Sequence, residues 1–180
     1  MKLKPDKIMK TTLNLTLILF FGILILSCQP KVEKIEFQPE KIDLINDEFP
    51  EAKKEIKEVM EELKQTIKEG NIDKLISGHA YGPKFTEFKQ GKRRNDAIEN
   101  EKHERGFFSK VTEVKQMEFD DLKIAVFDRV ANVTYHANME VMLGEQKVKV
   151  NNQVTLLFVK SETGWKCVHE HHSPLNKESS

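Results

Sequence analysis

Cysteine is nearly missing from this chain, with two in 180 residues, Cys28 and Cys167. A disulfide framework needs several spaced cysteines, so the fold must stand on its own packed core. An excess of charge of either sign is also missing. The 29 basic and 29 acidic residues cancel and are dispersed along the chain, leaving no basic stripe for a phosphate backbone and excluding nucleic acid as a partner class. There is no internal repeat. There is also no nucleophile motif, phosphate-cradling loop or dinucleotide fingerprint, so the usual nucleotide-dependent chemistries have no foothold.

Long apolar runs are absent with one exception, Leu17-Ile18-Leu19-Phe20-Phe21-Gly22-Ile23-Leu24-Ile25-Leu26. It is short of the roughly 20 apolar residues of a membrane span, and it lacks the polar face of a soluble helix. Lys2, Lys4, Lys7 and Lys10 precede it and small residues follow, which is the build of a secretory leader. Leu26-Ser27-Cys28 resembles the lipobox of bacterial lipoproteins. The resemblance implies that residues 1–27 are a cleaved signal peptide and that Cys28 becomes the acylated, palmitate-type first residue of a chain anchored in the lipid bilayer of the cell envelope. Gln29, rather than Asp, resembles lipoproteins passed on to the outer membrane. Met9-Lys10-Thr11-Thr12 makes a more typical leader start than Met1.

Residues 1–27 hold four lysines and one aspartate, which leaves 25 basic and 28 acidic residues in the mature chain. With Cys28 acylated, Cys167 is the sole thiol. It sits among strand-forming residues, where a buried inert thiol is expected rather than a nucleophile. Residues 28–46 are rich in Lys, Glu and Pro and read as a tether. Residues 47–176 are of a size for one domain with a real core, and 177–180 form a tail.

Within the domain, Pro50 opens a helical pattern, with Ile56, Val59, Met60, Leu63 and Ile67 at spacings of three and four and Gly70 as the stop. Asn71 caps a shorter helix that ends at Gly78. An irregular piece and a short strand follow near Phe85 and Phe88, and a third helix starts at Asn95-Asp96. Beyond Val111 the period changes to two. Ala131, Val133, Tyr135, Ala137, Met139 and Val141 share one face of a long strand. Val148, Val150, Val154, Leu156 and Phe158 share another, and Ser161-Glu162-Thr163-Gly164 turns the chain into a last strand. The alternation slips at Asp120-Asp121, which predicts a bulge. The order predicts an α+β domain, three helices packed on one face of a curved antiparallel β-sheet.

That order resembles the NTF2-like cone. Gly164-Trp165-Lys166-Cys167-Val168-His169-Glu170-His171-His172-Ser173 is similar to the last strand of its SnoaL-like members. The resemblance implies a pocket between sheet and helices, dimerisation through the sheet, and functions divided between small-molecule enzymes and silent binding modules. Gln153 stands where such members often carry an arginine, which implies a neutral ligand.

Strict alternation in the last strand places Trp165, Cys167, His169 and His171 on one face and Lys166, Val168, Glu170 and His172 on the other. Ligand-pocket candidates are therefore His169, His171 and Trp165, joined by His79 and Tyr81 where the chain leaves the helices, by Tyr135, and by Asn152, which interrupts an apolar face. Only His169 and His171 are placed to share a metal, with a third ligand such as His79 coming from afar; no metal and no cofactor are assigned. The main expectation is a membrane-anchored homodimer that binds a small apolar molecule or a protein partner. The alternative is an isomerase or dehydratase with His169 or His79 as general base and Tyr81 or Tyr135 stabilising an oxyanion. No buried acid paired with a histidine is evident from the sequence. Such a pair points to an enzyme, and an apolar pocket without one points to binding.

Overall fold

Pro50 fits the first turn of a helix because its φ is already helical and its missing N–H has no partner to lose there. It opens α1 (Pro50–Lys68) behind Phe49, which takes a left-handed φ of 44°. The apolar stripe turns Ile56, Met60 and Ile67 inward, and Gly70, at φ 66°, supplies the left-handed turn that ends the run. Asn71 accepts from Lys74 N and caps α2 (Ile72–Ser77). After β1 (Thr86–Lys89), α3 (Ala97–Phe108) begins with a reciprocal cap: Asp96 accepts from the Ile98 and Glu99 amides, and Glu99 accepts from the Asp96 amide. Four long strands complete the domain, β2 (Val111–Phe127), β3 (Val130–Leu143), β4 (Gln146–Ser161) and β5 (Gly164–Pro174). This computed structural model describes residues 41–175. The leader, Cys28, the tether up to residue 40 and the tail 177–180 lie outside the described residues.

The strands form one sheet in the order β1-β5-β4-β3-β2. Tight two-residue connections make β2 to β5 an antiparallel meander, as the alternation predicts. The pairing of β2 with β3 slips between Asp120 and Lys123, with Asp121 at φ 48°, so the expected bulge is present. The sheet is not antiparallel throughout. β1 runs parallel to β5, Thr86 beside His169 and Lys89 beside His172. A helix and three strands separate the two in sequence, so no hairpin dictates their direction.

α1 lies across the concave face. Ile56 and Met60 pack with Ala131, Val133, Tyr135, Leu156 and Phe158 in the main core. A second cluster joins Ile67 and Leu75 to Met139 and Val141, with Phe107 and Phe108 against it, so α2 and α3 close one end of the concavity. From Ile42 onward the chain is one compact unit. No helix among the described residues is long and apolar enough to cross a membrane.

Candidate functional site

A single extra residue in β5 decides which side chains enter the concavity. Cys167 pairs with Phe158 and His169 with Leu157, so Val168 has no partner and the register shifts there. One inserted residue exchanges the faces of everything beyond it. Trp165 and Cys167 point inward as expected, but the next inward residues are Glu170 and His172, while His169, His171 and Ser173 turn to the outer face. The strict alternation expected for this strand therefore fails at Val168.

The parallel pairing of β1 then places Glu87 beside Glu170 and Lys89 beside His172, all on the inner side. His79 reaches the same point from the end of α2. Backbone bonds between Ala80 and Cys167 and between Cys167 and Gly78 hold its segment against β5. Its Nε2 lies 2.7 Å from Glu170 Oε1, and its Nδ1 lies 3.1 Å from the Leu75 carbonyl oxygen. From α3, the wholly buried Asn100 donates to Glu170 Oε2 at 3.3 Å and accepts from the Tyr81 hydroxyl. His172 Nε2 also approaches Glu170 Oε2, at 3.3 Å. The Tyr81 ring lies flat on His79, with centroids 4.9 Å apart, and Phe85 abuts both rings edge-on. Asn95 donates to Glu87 Oε2 at 2.7 Å, and Lys89 stands 3.4 Å from both Glu87 and Glu104.

Burial and pairing oppose each other throughout this cluster. Burial pushes the Glu170 carboxyl toward its neutral form, yet hydrogen bonds from His172 and His79, and their charges, hold it well below the usual carboxylate range. Burial likewise disfavours the charged His79 imidazole, but Glu170 outweighs it and leaves His79 above the ordinary histidine value. Glu87 follows Glu170 downward because Asn95 and Lys89 overcome its burial, while burial and the Glu170 charge raise Glu104 despite Lys89. The Cys167 thiol is pushed well up, by burial first and Glu170 second, which fits the inert thiol expected there. The Leu75 carbonyl requires a proton on His79 Nδ1, and the 2.7 Å approach of Nε2 to a carboxylate requires one more between them. The pair thus holds a single shared proton.

Of the expected pocket residues, only His79 and Tyr81 belong to this cluster. Tyr135 is buried in the main core against Phe119, and its ionisation is pushed up by burial. Trp165 donates to Glu55 Oε2 and lies near the start of β5, at the other end of the strand. Asn152 is buried on the inner face but pairs with Ala137 and Pro174, away from the histidine. His169 bonds Thr86 on the outer face, and His171 lies beside Phe88 there, so neither shares a metal with His79. Gln153 is exposed on that outer face as well, so its departure from arginine does not bear on the interior. The acid expected to be missing is Glu170. Neither Glu87, Asn100 nor Glu104 was marked by any sequence motif.

Two trios bring ligand-type atoms within 4.8 Å of one another: His79, Cys167 and Glu170, and Glu87, Glu170 and His172. A SnoaL-like domain profile matches residues 56–177, from within α1 to beyond β5. The chain belongs to the SnoaL-like family. Solved structures share this fold at low identity. A candidate dehydratase of the NTF2-like family from Streptomyces avermitilis is 16% identical with a TM-score of 0.63, covering 71% of this chain and 99% of its own. A candidate scytalone dehydratase from Novosphingobium aromaticivorans is 10% identical, TM-score 0.59, covering 70% and 94%. The CamKII hub homology domain of Chlamydomonas reinhardtii is 22% identical, TM-score 0.54, covering 69% and 98%. No curated protein sequence matches. These likenesses establish the SnoaL-like fold and leave its chemistry to be argued from the cluster itself.

Proposed function

We propose that this SnoaL-like domain is a small-molecule catalyst that works by proton transfer at the Glu170 cluster, in the manner of a dehydratase or isomerase. The observation that carries the proposal is the buried His79–Glu170 pair, whose Nε2 and Oε1 are 2.7 Å apart. A substrate that parts Nε2 from Oε1 would leave the shared proton on Glu170 and free Nε2, with the Leu75 carbonyl still fixing the imidazole from behind; Nε2 can then take a proton from carbon while Glu170 returns one to oxygen or to another carbon. In an isomerisation the proton leaves one carbon and returns to another; in a dehydration the departing hydroxyl leaves with it as water. A compound would reach the pair past Tyr81 and His172, which are only partly buried. Three carboxylates, Glu87 and Glu104 at Lys89 and Glu170 between two histidines, disfavour an anionic substrate, so a neutral compound bearing hydroxyl or carbonyl groups fits better than the small apolar ligand expected from the sequence. The names of the two candidate dehydratases accord with this reading.

The cellular setting belongs to the same proposal. Acylation at Cys28 would hold the domain on the envelope membrane, in the outer membrane where there are two. Pairing of two copies through the outer sheet face would leave the cluster free, since that face carries its own groove of about 290 Å³ lined by Thr134, His136, Gln153, Thr155, His171 and Ser173.

Native mass spectrometry of the domain from Lys41 to Ser180, purified with nothing added, tests the proposal. A bound compound that is turned over by the native domain, and not by Glu170→Gln or His79→Gln, is the expected result. A domain with no bound compound, or turnover that survives both substitutions, overturns it and moves the function to the outer face.

A further inference from the structure

The region between β1, β5 and α3 holds a second feature that proton transfer does not use. Glu87 and Glu170 lie side by side on paired strands, and both are buried. Two carboxylates in that position repel unless a cation stands between them. Glu87 Oε1 has no hydrogen-bond partner although its residue is 0% exposed. Lys89 approaches it only to 3.4 Å and stands equally far from Glu104. His172 and Asn100 stop at 3.3 Å from Glu170 Oε2. Charge-assisted bonds normally close to about 2.7–2.9 Å, as His79 does on the other oxygen of the same carboxylate. Glu87 Oε1 and Glu170 Oε2 are therefore the loosely held oxygens of the two neighbouring carboxylates.

We propose that Glu87, Glu170 and His172 form a binding site for one divalent transition-metal ion, zinc being the probe of choice. The three ligand-type atoms lie within 4.8 Å of one another, close enough for bonds of about 2.0–2.2 Å to a shared ion. Two carboxylate oxygens and one imidazole suit zinc, iron or manganese, and three protein ligands leave a coordination position open. Asn95, bonded to the second Glu87 oxygen, and His79, bonded to the second Glu170 oxygen, are positioned to orient both carboxylates from behind. Lys89 then turns wholly to Glu104. The other trio is a poorer site, because His79 Nε2 and Glu170 Oε1 already close on each other at 2.7 Å. This inference deepens the proposed function, since an ion beside the proton-sharing pair would hold a substrate oxygen, but it does not depend on turnover.

The test is equilibrium dialysis of the chelator-treated domain, Lys41 to Ser180, against Zn²⁺ with a chromophoric zinc indicator, alongside cobalt absorption spectra and thermal unfolding. The expected result is one ion per chain and an unfolding temperature that rises with free Zn²⁺. Glu87→Gln and His172→Gln should each weaken binding at least about tenfold, with unfolding of the metal-free proteins confirming that they fold, and Cys167→Ser should bind normally. Absence of binding, or binding indifferent to Glu87→Gln and His172→Gln, overturns the site. A cobalt–thiolate charge-transfer band that Cys167→Ser abolishes also overturns it, in favour of the other trio. Zinc bound without turnover would sink the catalytic proposal alone, and turnover in a domain that binds no zinc would sink the metal site alone.

Discussion

At the scale of single residues, one carboxylate can organise a site or merely brace a wall, and Glu170 and Glu55 show the two cases. Glu170 collects His79, His172 and Asn100 in the interior. Glu55 on α1 sits at the surface, accepts from Lys160 Nζ at 2.6 Å and from Trp165 Nε1 at 2.7 Å, and so ties α1 to two strands. The Lys160 bond first and the Trp165 bond second hold the Glu55 carboxyl below its ordinary value of 4.5. A carboxyl whose pKa is lower folded than unfolded adds stability above its unfolded pKa and loses it as pH falls through the folded one. The stability difference between the native domain and Glu55→Gln should thus stay constant above about pH 6 and shrink below about pH 4.5. Fluorescence of Trp165, the sole tryptophan, follows unfolding in both proteins; a difference that stays flat through the acid range would refute this role of Glu55.

At the scale of elements, caps and periods were legible and a one-residue insertion was not. Asn71 and Asp96 announce helix starts because short polar side chains satisfy free amides locally, and the structure places them so, with Glu99 completing the cap of α3. Asp96→Ala should cost about 1 kcal/mol, measured as a lowered denaturant midpoint at unchanged slope; an unchanged midpoint would show that packing alone holds α3. The alternation of β3 likewise assigned its buried face, since neighbours on both sides keep the same register. In β5 the apolar signal ran out at Val168. Nothing in Val168-His169-Glu170-His171 distinguishes a regular strand from a bulged one, and counting by twos put Glu170 outside. The clue available was chemical: a glutamate amid three histidines makes sense facing inward where an imidazole pairs with it, as His172 does.

At the scale of the whole molecule, the domain and the proposed anchor rest on different parts of the chain. The apolar run and Leu26-Ser27-Cys28, if they are the proposed leader and lipidation site, would act through recognition of a short segment, independent of anything folded later. Changing Cys28 to Ser should move the protein out of the membrane fraction on cell fractionation; retention there with the leader removed would mean that another surface holds it. The amino-acid sequence by itself determined the three helices, the long strands and the inner residues of β3, because each depends on local periodicity or capping, and the export signal stays an expectation read from a contiguous motif. Only the tertiary structure decided the parallel pairing of β1 with β5, the bulge at Val168 and the meeting of His79, Glu87, Asn100 and Glu170. Those side chains come from two helical ends and two strands up to 91 positions apart, and neither spacing nor composition records which distant residues a register shift of one will bring face to face.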